Sequence, residues 1–281
     1  MMGELGVDTS VRPRGDGRFE ATLSADWEIW GPMGGYVAAC ALRAAGASNV
    51  DHRPAAFSCH YLGVARFGPV ELRVQTRKDG RRAASQRVEV TQDERPILDA
   101  MVWSVSDDVD GLEHDETVFP DVPGPDELRT IRELLPDDAP PPYPFWNNLE
   151  AKPIEFESEW PPAEALPARW QQWLRFTPRA AFDDPWVDAG RSVILVDLPS
   201  WPSAHRPHAW KQPPYVAPTL DLNVAFHRPA REHEWLLCDG SAPLSTAGLF
   251  GWTARVWSED GHLHASGGGQ CLYRRLPSAT S

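Results

Sequence analysis

Two features of this sequence are of the types that handle a carbonyl group. The first is the glycine pair Gly34 and Gly35 in "WGPMGGYVAACALRAAG", directly ahead of small apolar residues that read as a helix. The first N–H groups of a helix lack partners within it, and the helix dipole adds partial positive charge there. Glycines leave those amides open to an oxygen gaining charge, which makes an oxyanion or carbonyl site. The same glycines suit a helix pressed against a sheet, and the sequence leaves both readings standing. The second feature is Asp221 in "PTLDLNVAFHRP", on a segment patterned as a strand. A carboxylate there fits a general base, with the cap of a strand turn as the lesser alternative.

Other catalytic arrangements find less support. Nine histidines are present, including His205, His208, His227, His262 and His264, but none has H-E-x-x-H or comparable ligand spacing, so no metal site is expected. His262 and His264 alternate after the Asp260-Gly261 turn and read as a solvated strand face. No G-x-S-x-G elbow occurs, which disfavours an α/β-hydrolase. "ASGGGQ" is glycine-rich without a Walker lysine and reads as a bulge or loop.

The elements that must position these groups repeat. From Phe57 to Ser106, alternation, β-branched residues and turns such as Asp79-Gly80 predict an antiparallel meander after one helix. "LDLNVAFHRP", "HEWLLCDGSAPLSTAGLFGWTARVWSEDG" and "HLHASGGGQCLYRR" predict another. "FSCHYLGVAR" falls on "LDLNVAFHRP" at an offset of 163 residues (58 to 221), which indicates an internal duplication. Ser58 then stands where the second half has Asp221, so a carboxylate kept in one half alone points to a single asymmetric site. The second helix is expected from near Gly190, cut short by Pro199 and Pro202.

The stretch Ala38 to Ala45 is apolar around most of its circumference, so the first helix belongs inside a curved sheet rather than on a surface. The expected fold is α+β, a tandem double hot-dog in which each half is an antiparallel sheet wrapped around a central helix. Its units are an N-terminal hot-dog (1–108), a proline-rich acidic connection (109–167) and a C-terminal hot-dog (168–281). Within the connection a short helix is expected over Pro125 to Leu135, and the Pro140-Pro141-Pro142 run should be extended.

Composition narrows the partners. Forty acidic side chains against 27 basic ones leave a net charge of -13, which gives no footprint for nucleic acid. No uninterrupted apolar run of about 18 residues is present, so no membrane span is expected. Cys40, Cys59, Cys238 and Cys271 stand singly in apolar contexts and read as buried thiols of a reducing, cytoplasmic protein.

"GPMGGYVAACALRAA", the helix-then-meander order, the duplication and "TLDLNVAFHRP…EWLL" together resemble the double hot-dog acyl-CoA thioesterases, the type II thioesterase-like family. The resemblance implies hydrolysis of a fatty or related acyl-CoA by base-activated water, with no cofactor. It implies that Asp221 activates the water, aided by a hydroxyl residue in "SAPLSTAG", Ser245 or Thr246, and by Gln270 in "ASGGGQCLYR". Gly34 and Gly35 would then receive the carbonyl oxygen. Pro243 falls near the family's Ser/Thr-rich run, and Gln270 is displaced by one residue from the usual spacing to the following arginine. Homo-oligomers of such double units are common in the family. Two other outcomes fit the fold: a catalytically silent acyl- or ligand-binding protein, and a hydratase or dehydratase. The latter pair an aspartate with a histidine, and no Asp-x4-His spacing follows Asp221, where the sixth residue on is His227. Trp146, Trp160, Trp170, Trp173, Trp186, Trp201 and Trp210 crowd the middle third, to fill sheet interfaces, line an acyl tunnel or stack on an adenine.

Overall fold

A computed structural model describes residues 2–136, 139, 141–159, 162–209 and 215–276. Trp160, Trp210 and Pro140 of the sequence reading lie outside the described residues. The strands are β1 (Arg12–Gly15), β2 (Arg18–Leu23), β3 (His52–Tyr61), β4 (Gly68–Lys78), β5 (Ala83–Gln92), β6 (Arg95–Ser106), β7 (Leu149–Pro153), β8 (Arg169–Phe176), β9 (Tyr215–Val216), β10 (Thr219–Phe226), β11 (Trp235–Thr246), β12 (Leu249–Ser258), β13 (Leu263–Leu272) and β14 (Arg274–Arg275). The helices are α1 (Leu5–Asp8), α2 (Gly34–Ala47), α3 (Ile131–Leu134), α4 (Pro185–Asp197) and α5 (Ser200–His205).

Twelve strands form one antiparallel sheet in the order β1-β2-β4-β5-β6-β3-β10-β13-β12-β11-β8-β7. Read outward from the β3–β10 seam, the connectivity is the same on both sides, with α2 between β2 and β3 and α4 between β8 and β10. Across the seam Cys59 pairs with Leu222, residues made equivalent by the 163-residue offset, so a local two-fold passes between them. Asp221 therefore pairs with His60, and Asn223 with Ser58.

α2 is buried along nearly its whole length, as its small apolar side chains demand, and it packs antiparallel on α4. α4 begins at Pro185, five residues ahead of the expected start. Asp184 caps it by accepting from the amides of Trp186 and Val187, and Pro185 sets the first helical φ. The helix ends at Asp197, ahead of Pro199. "ASGGGQ" lies within β13, not in a loop or bulge. A Cβ at Gly267, Gly268 or Gly269 would fall 1.9–2.0 Å from the carbonyl oxygens of Asn223, Trp252 and Asp221, so the glycines let three strands approach closely.

The Pro125–Leu135 helix is broken into a 3-10 turn (Pro125–Glu127) and α3, because Thr130 and Glu133 form a fresh capping box between them. Ahead of it the connection crosses the outer sheet face. There Phe119 packs edge-on against Trp257 at 5.6 Å, and Trp173 Nε1–H donates to the Pro123 carbonyl at 2.9 Å. Those two tryptophans thus pack against the connection, while Trp186 is buried beside Gly46 between the helices. All four cysteines are buried and free, and among the described residues no helix is long and apolar enough to cross a membrane.

Candidate active site

At the seam, the start of α2 meets the end of α4. Met33 supplies no side-chain cap to α2. Instead the Gly35 amide donates to Asp197 Oδ2 at 2.7 Å, so the last residue of one helix caps the first turn of the other. Asp197 is 6 % exposed. Burial raises its pKa to about 6 against the opposing pull of the Gly35 amide and the Thr219 hydroxyl. Around it stand Thr219 of β10, Cys271 of β13 and Tyr61 of β3. The Tyr61 hydroxyl is buried there, with the Cys59 thiol beside it. A Cβ at Gly34 would lie 3.0 Å from Asp197 Oδ2 and 3.3 Å from that hydroxyl.

Asp221 lies on the other face of the sheet. Leu222 and Val224 are buried while Asn223 and Ala225 are exposed, so strand parity places Asp221 outward. A bulge between Thr219 and Asp221 breaks that parity and turns Thr219 inward to Asp197. Asp221 Oδ1 accepts the Gln270 backbone N–H at 3.1 Å, and Oδ2 accepts from Asn223 Nδ2 at 2.9 Å. Two donors thus fix a half-buried carboxylate, and Gln270 meets it through its main chain.

Ser245 and Thr246 end β11 at a tight turn in which Ala247 and Gly248 have φ of 50° and 81°. Ser245 Oγ reaches the Tyr273 hydroxyl at 3.4 Å. β12 and β13 separate β11 from β10, which is three strand spacings, or roughly 14 Å along the sheet. The structure therefore brings Asp221 and Gln270 together, and brings Gly34 and Gly35 to Asp197. It does not bring Ser245 or Thr246 to Asp221.

Sequence reasoning missed Asp197 and Thr219. One signal was present: a carboxylate closing the apolar run "SVILVD" is out of place unless it caps something.

Residues 23–105 match the acyl-CoA thioesterase N-terminal domain, and residues 125–268 match the acyl-CoA thioesterase C-terminal domain. The chain belongs to the acyl-CoA thioesterase family. It is a thioester hydrolase. Three solved structures share its hot-dog fold. A conserved protein of unknown function from Alicyclobacillus acidocaldarius is 21% identical with TM-score 0.80, covering 99% of this chain and 100% of its own. The acyl-CoA thioesterase II TesB2 of Mycobacterium marinum is 20% identical with TM-score 0.78 over 98% and 99% of the two chains. A tesB protein of Mycobacterium avium subspecies paratuberculosis is 21% identical with TM-score 0.76 over 98% and 100%.

In this thioesterase the glycine pair packs closely as well as presenting amides. A Cβ at Gly35 would stand 2.9 Å from Ile194 Cα, a backbone atom that cannot turn aside. Gly35→Ala should cost about 1–3 kcal/mol through overpacking at the helix crossing. Gly190 is the opposite case, since its Cβ would meet only Ala39 Cβ at 3.7 Å, ordinary contact. Gly190→Ala should stabilise by up to about 1 kcal/mol through helix propensity. Urea unfolding of both variants checks the pair, and equal changes of the same sign would contradict the packing account.

Proposed function

We propose that this enzyme hydrolyses a fatty or related acyl-CoA with Asp221 as the base that activates water. The observation carrying this is the Asp221 carboxylate, held by the Gln270 amide and Asn223 at a bulge where the halves join. Water held by Asp221 attacks the thioester carbonyl carbon and gives its proton to the carboxylate. The carbonyl oxygen gains charge, the C–S bond breaks, and CoA leaves with a proton as the carboxylic acid forms. Gln270, whose exposed side chain stands beside Asp221, orients the water. For the hydroxyl partner, Ser245 or Thr246 must swing in from the hairpin tip, since Thr219 is turned to the inner face toward Asp197. The Gly34 and Gly35 amides stand on the inner face beside Asp197, across the sheet from Asp221, so they do not serve an oxyanion formed at Asp221.

A groove of about 600 Å³ on the same outer face, lined by Thr117, Val118, His227, Arg255, Leu263 and Ser266, offers room for the body of the substrate. Asp115 and Glu116 line it beside Arg255, so its charge does not single out an anionic ligand.

A second reading has its own observation. Asp197 is a buried carboxylate with a pKa raised toward neutrality at the head of α2, properties that suit a general base. It excludes the Gly35 amide from oxyanion binding while it stays bound there.

The repeated connectivity and the seam two-fold support a tandem double hot-dog of units 1–108 and 168–281, with 109–167 as the connection that contributes β7. Four buried thiols favour the cytoplasm, and the end strands β1 and β7 give double units edges through which to associate. CoA release from a panel of acyl-CoAs, by the wild type beside Asp221→Ala, tests the reading. Turnover of at least one chain length that the variant loses is the expected result. Full activity in Asp221→Ala would overturn the assignment of the base.

A further inference from the structure

Away from the seam, two histidines and a carboxylate distant in sequence converge at the β12–β13 turn. His233, Asp260 and His264 each direct one donor atom so that the three lie within 4.8 Å of one another. His233 Nε2 stands 3.8 Å from Asp260 Oδ2, and the two imidazole centroids are 5.2 Å apart. The sequence hides this, since no two of the three have a ligand spacing within one helix; the loop before β11 and the β12–β13 turn bring them together.

The surroundings set these groups up as ligands. His264 is 3 % exposed, contrary to the solvated strand face expected for it. Its Nδ1 faces the Arg228 carbonyl at 3.3 Å. Its Nε2 lies 2.8 Å from Ser258 Oγ, which itself donates to Asp260, so this nitrogen is on the Asp260 side of the ring. With a metal on Nε2, Nδ1–H would donate to the Arg228 carbonyl, the arrangement by which proteins orient a metal-binding imidazole. The backbone of His233 is anchored by its own amide on the Ala230 carbonyl at 3.0 Å and by the fully buried Arg191, which donates to the His233 carbonyl at 2.7 Å.

We propose that His233, Asp260 and His264 bind a divalent transition-metal ion, with Zn2+ the best match to two imidazoles and a carboxylate. Tetrahedral ligation at about 2.0–2.1 Å places donors roughly 3.4 Å apart. His233 Nε2 and Asp260 Oδ2, 3.8 Å apart, are already near that spacing, and Asp260 is an exposed turn residue. Water completes the shell, because His262 Nδ1 accepts from Arg228 at 2.8 Å and so carries its proton on Nε2, the atom facing Asp260. The ion clips the loop ahead of β11 to the β12–β13 turn. It stands six residues along β13 from Gln270, about 20 Å from Asp221, and takes no part in hydrolysis.

The test is titration of the chelator-treated full chain with Zn2+ by calorimetry, with Co2+ as a visible-absorption reporter of four-coordinate geometry. One ion per chain and a higher melting temperature with Zn2+ are expected. His233→Ala and Asp260→Asn should each weaken binding at least tenfold with unchanged circular dichroism. CoA release by His233→Ala should match the wild type. No stoichiometric binding, or binding unaltered by both substitutions, overturns the site.

Discussion

Asp221→Ala is expected to lower kcat for acyl-CoA hydrolysis by about 10²–10⁴, the usual contribution of a positioned general base. The size of the effect follows from what the residue touches. Its two oxygens are held by the Gln270 amide and Asn223 Nδ2, so its position is fixed before substrate arrives. Truncation removes the proton acceptor but leaves β10 paired on both sides. KM should change far less than kcat, because a base acts on the water rather than on the acyl chain. Stability should fall by only about 1 kcal/mol, since the lost hydrogen bonds are half-exposed. Asp221→Asn separates shape from basicity: its amide oxygen can still accept from Gln270, yet it cannot take a proton, so it should be as inactive as alanine. Rates from thiol-detected CoA release at saturating substrate decide the matter. A loss below about threefold in both variants would move the base to Asp197.

How far these groups were legible in the sequence depends on whether their signals were local. α2 was readable because an apolar run without charges has only one place to go, and its burial follows. The meanders were readable from alternation and from Asp79-Gly80 and Asp260-Gly261. The duplication was readable too, since aligning Ser58 with Asp221 gives the offset that relates Cys59 to Leu222, while their pairing across β3 and β10 came from the structure. What escaped was one local signal and several features set by neighbours distant in the chain. The start of α4 depended on recognising Asp184-Pro185 as cap and first residue. The three glycines of β13 are in a strand because the carbonyls of Asn223, Trp252 and Asp221 crowd in from both sides. The inward turn of Thr219 depends on a one-residue bulge, and no periodicity announces one. Asp197 became meaningful only when Gly35, 162 positions earlier, was seen to donate to it.

That contact gives the other large expected effect: Asp197→Asn should make the protein more stable at pH 8. Asp197 is raised from 3.8 to about 6 by burial, so the folded state holds its proton more tightly than the unfolded chain does. Between those values the native state carries more protons, and stability drops as pH rises through the window. Above about pH 6 the whole deficit is present, roughly 3 kcal/mol at 1.36 kcal/mol per unit. Asparagine keeps an oxygen for the Gly35 amide without a charge to desolvate, so the deficit disappears. At pH 4 and below the wild-type carboxyl is protonated and the two proteins should converge. Denaturant unfolding of both at pH 4, 6 and 8 measures the difference directly, with every other titrating group cancelling between them. A variant less stable than the wild type at pH 8 would mean that the carboxylate's bond to the α2 N-terminus outweighs its burial. The same variant divides the two catalytic readings, because a merely structural Asp197 permits near-normal kcat in Asp197→Asn, whereas a base there makes this the inactive protein and leaves Asp221→Asn active.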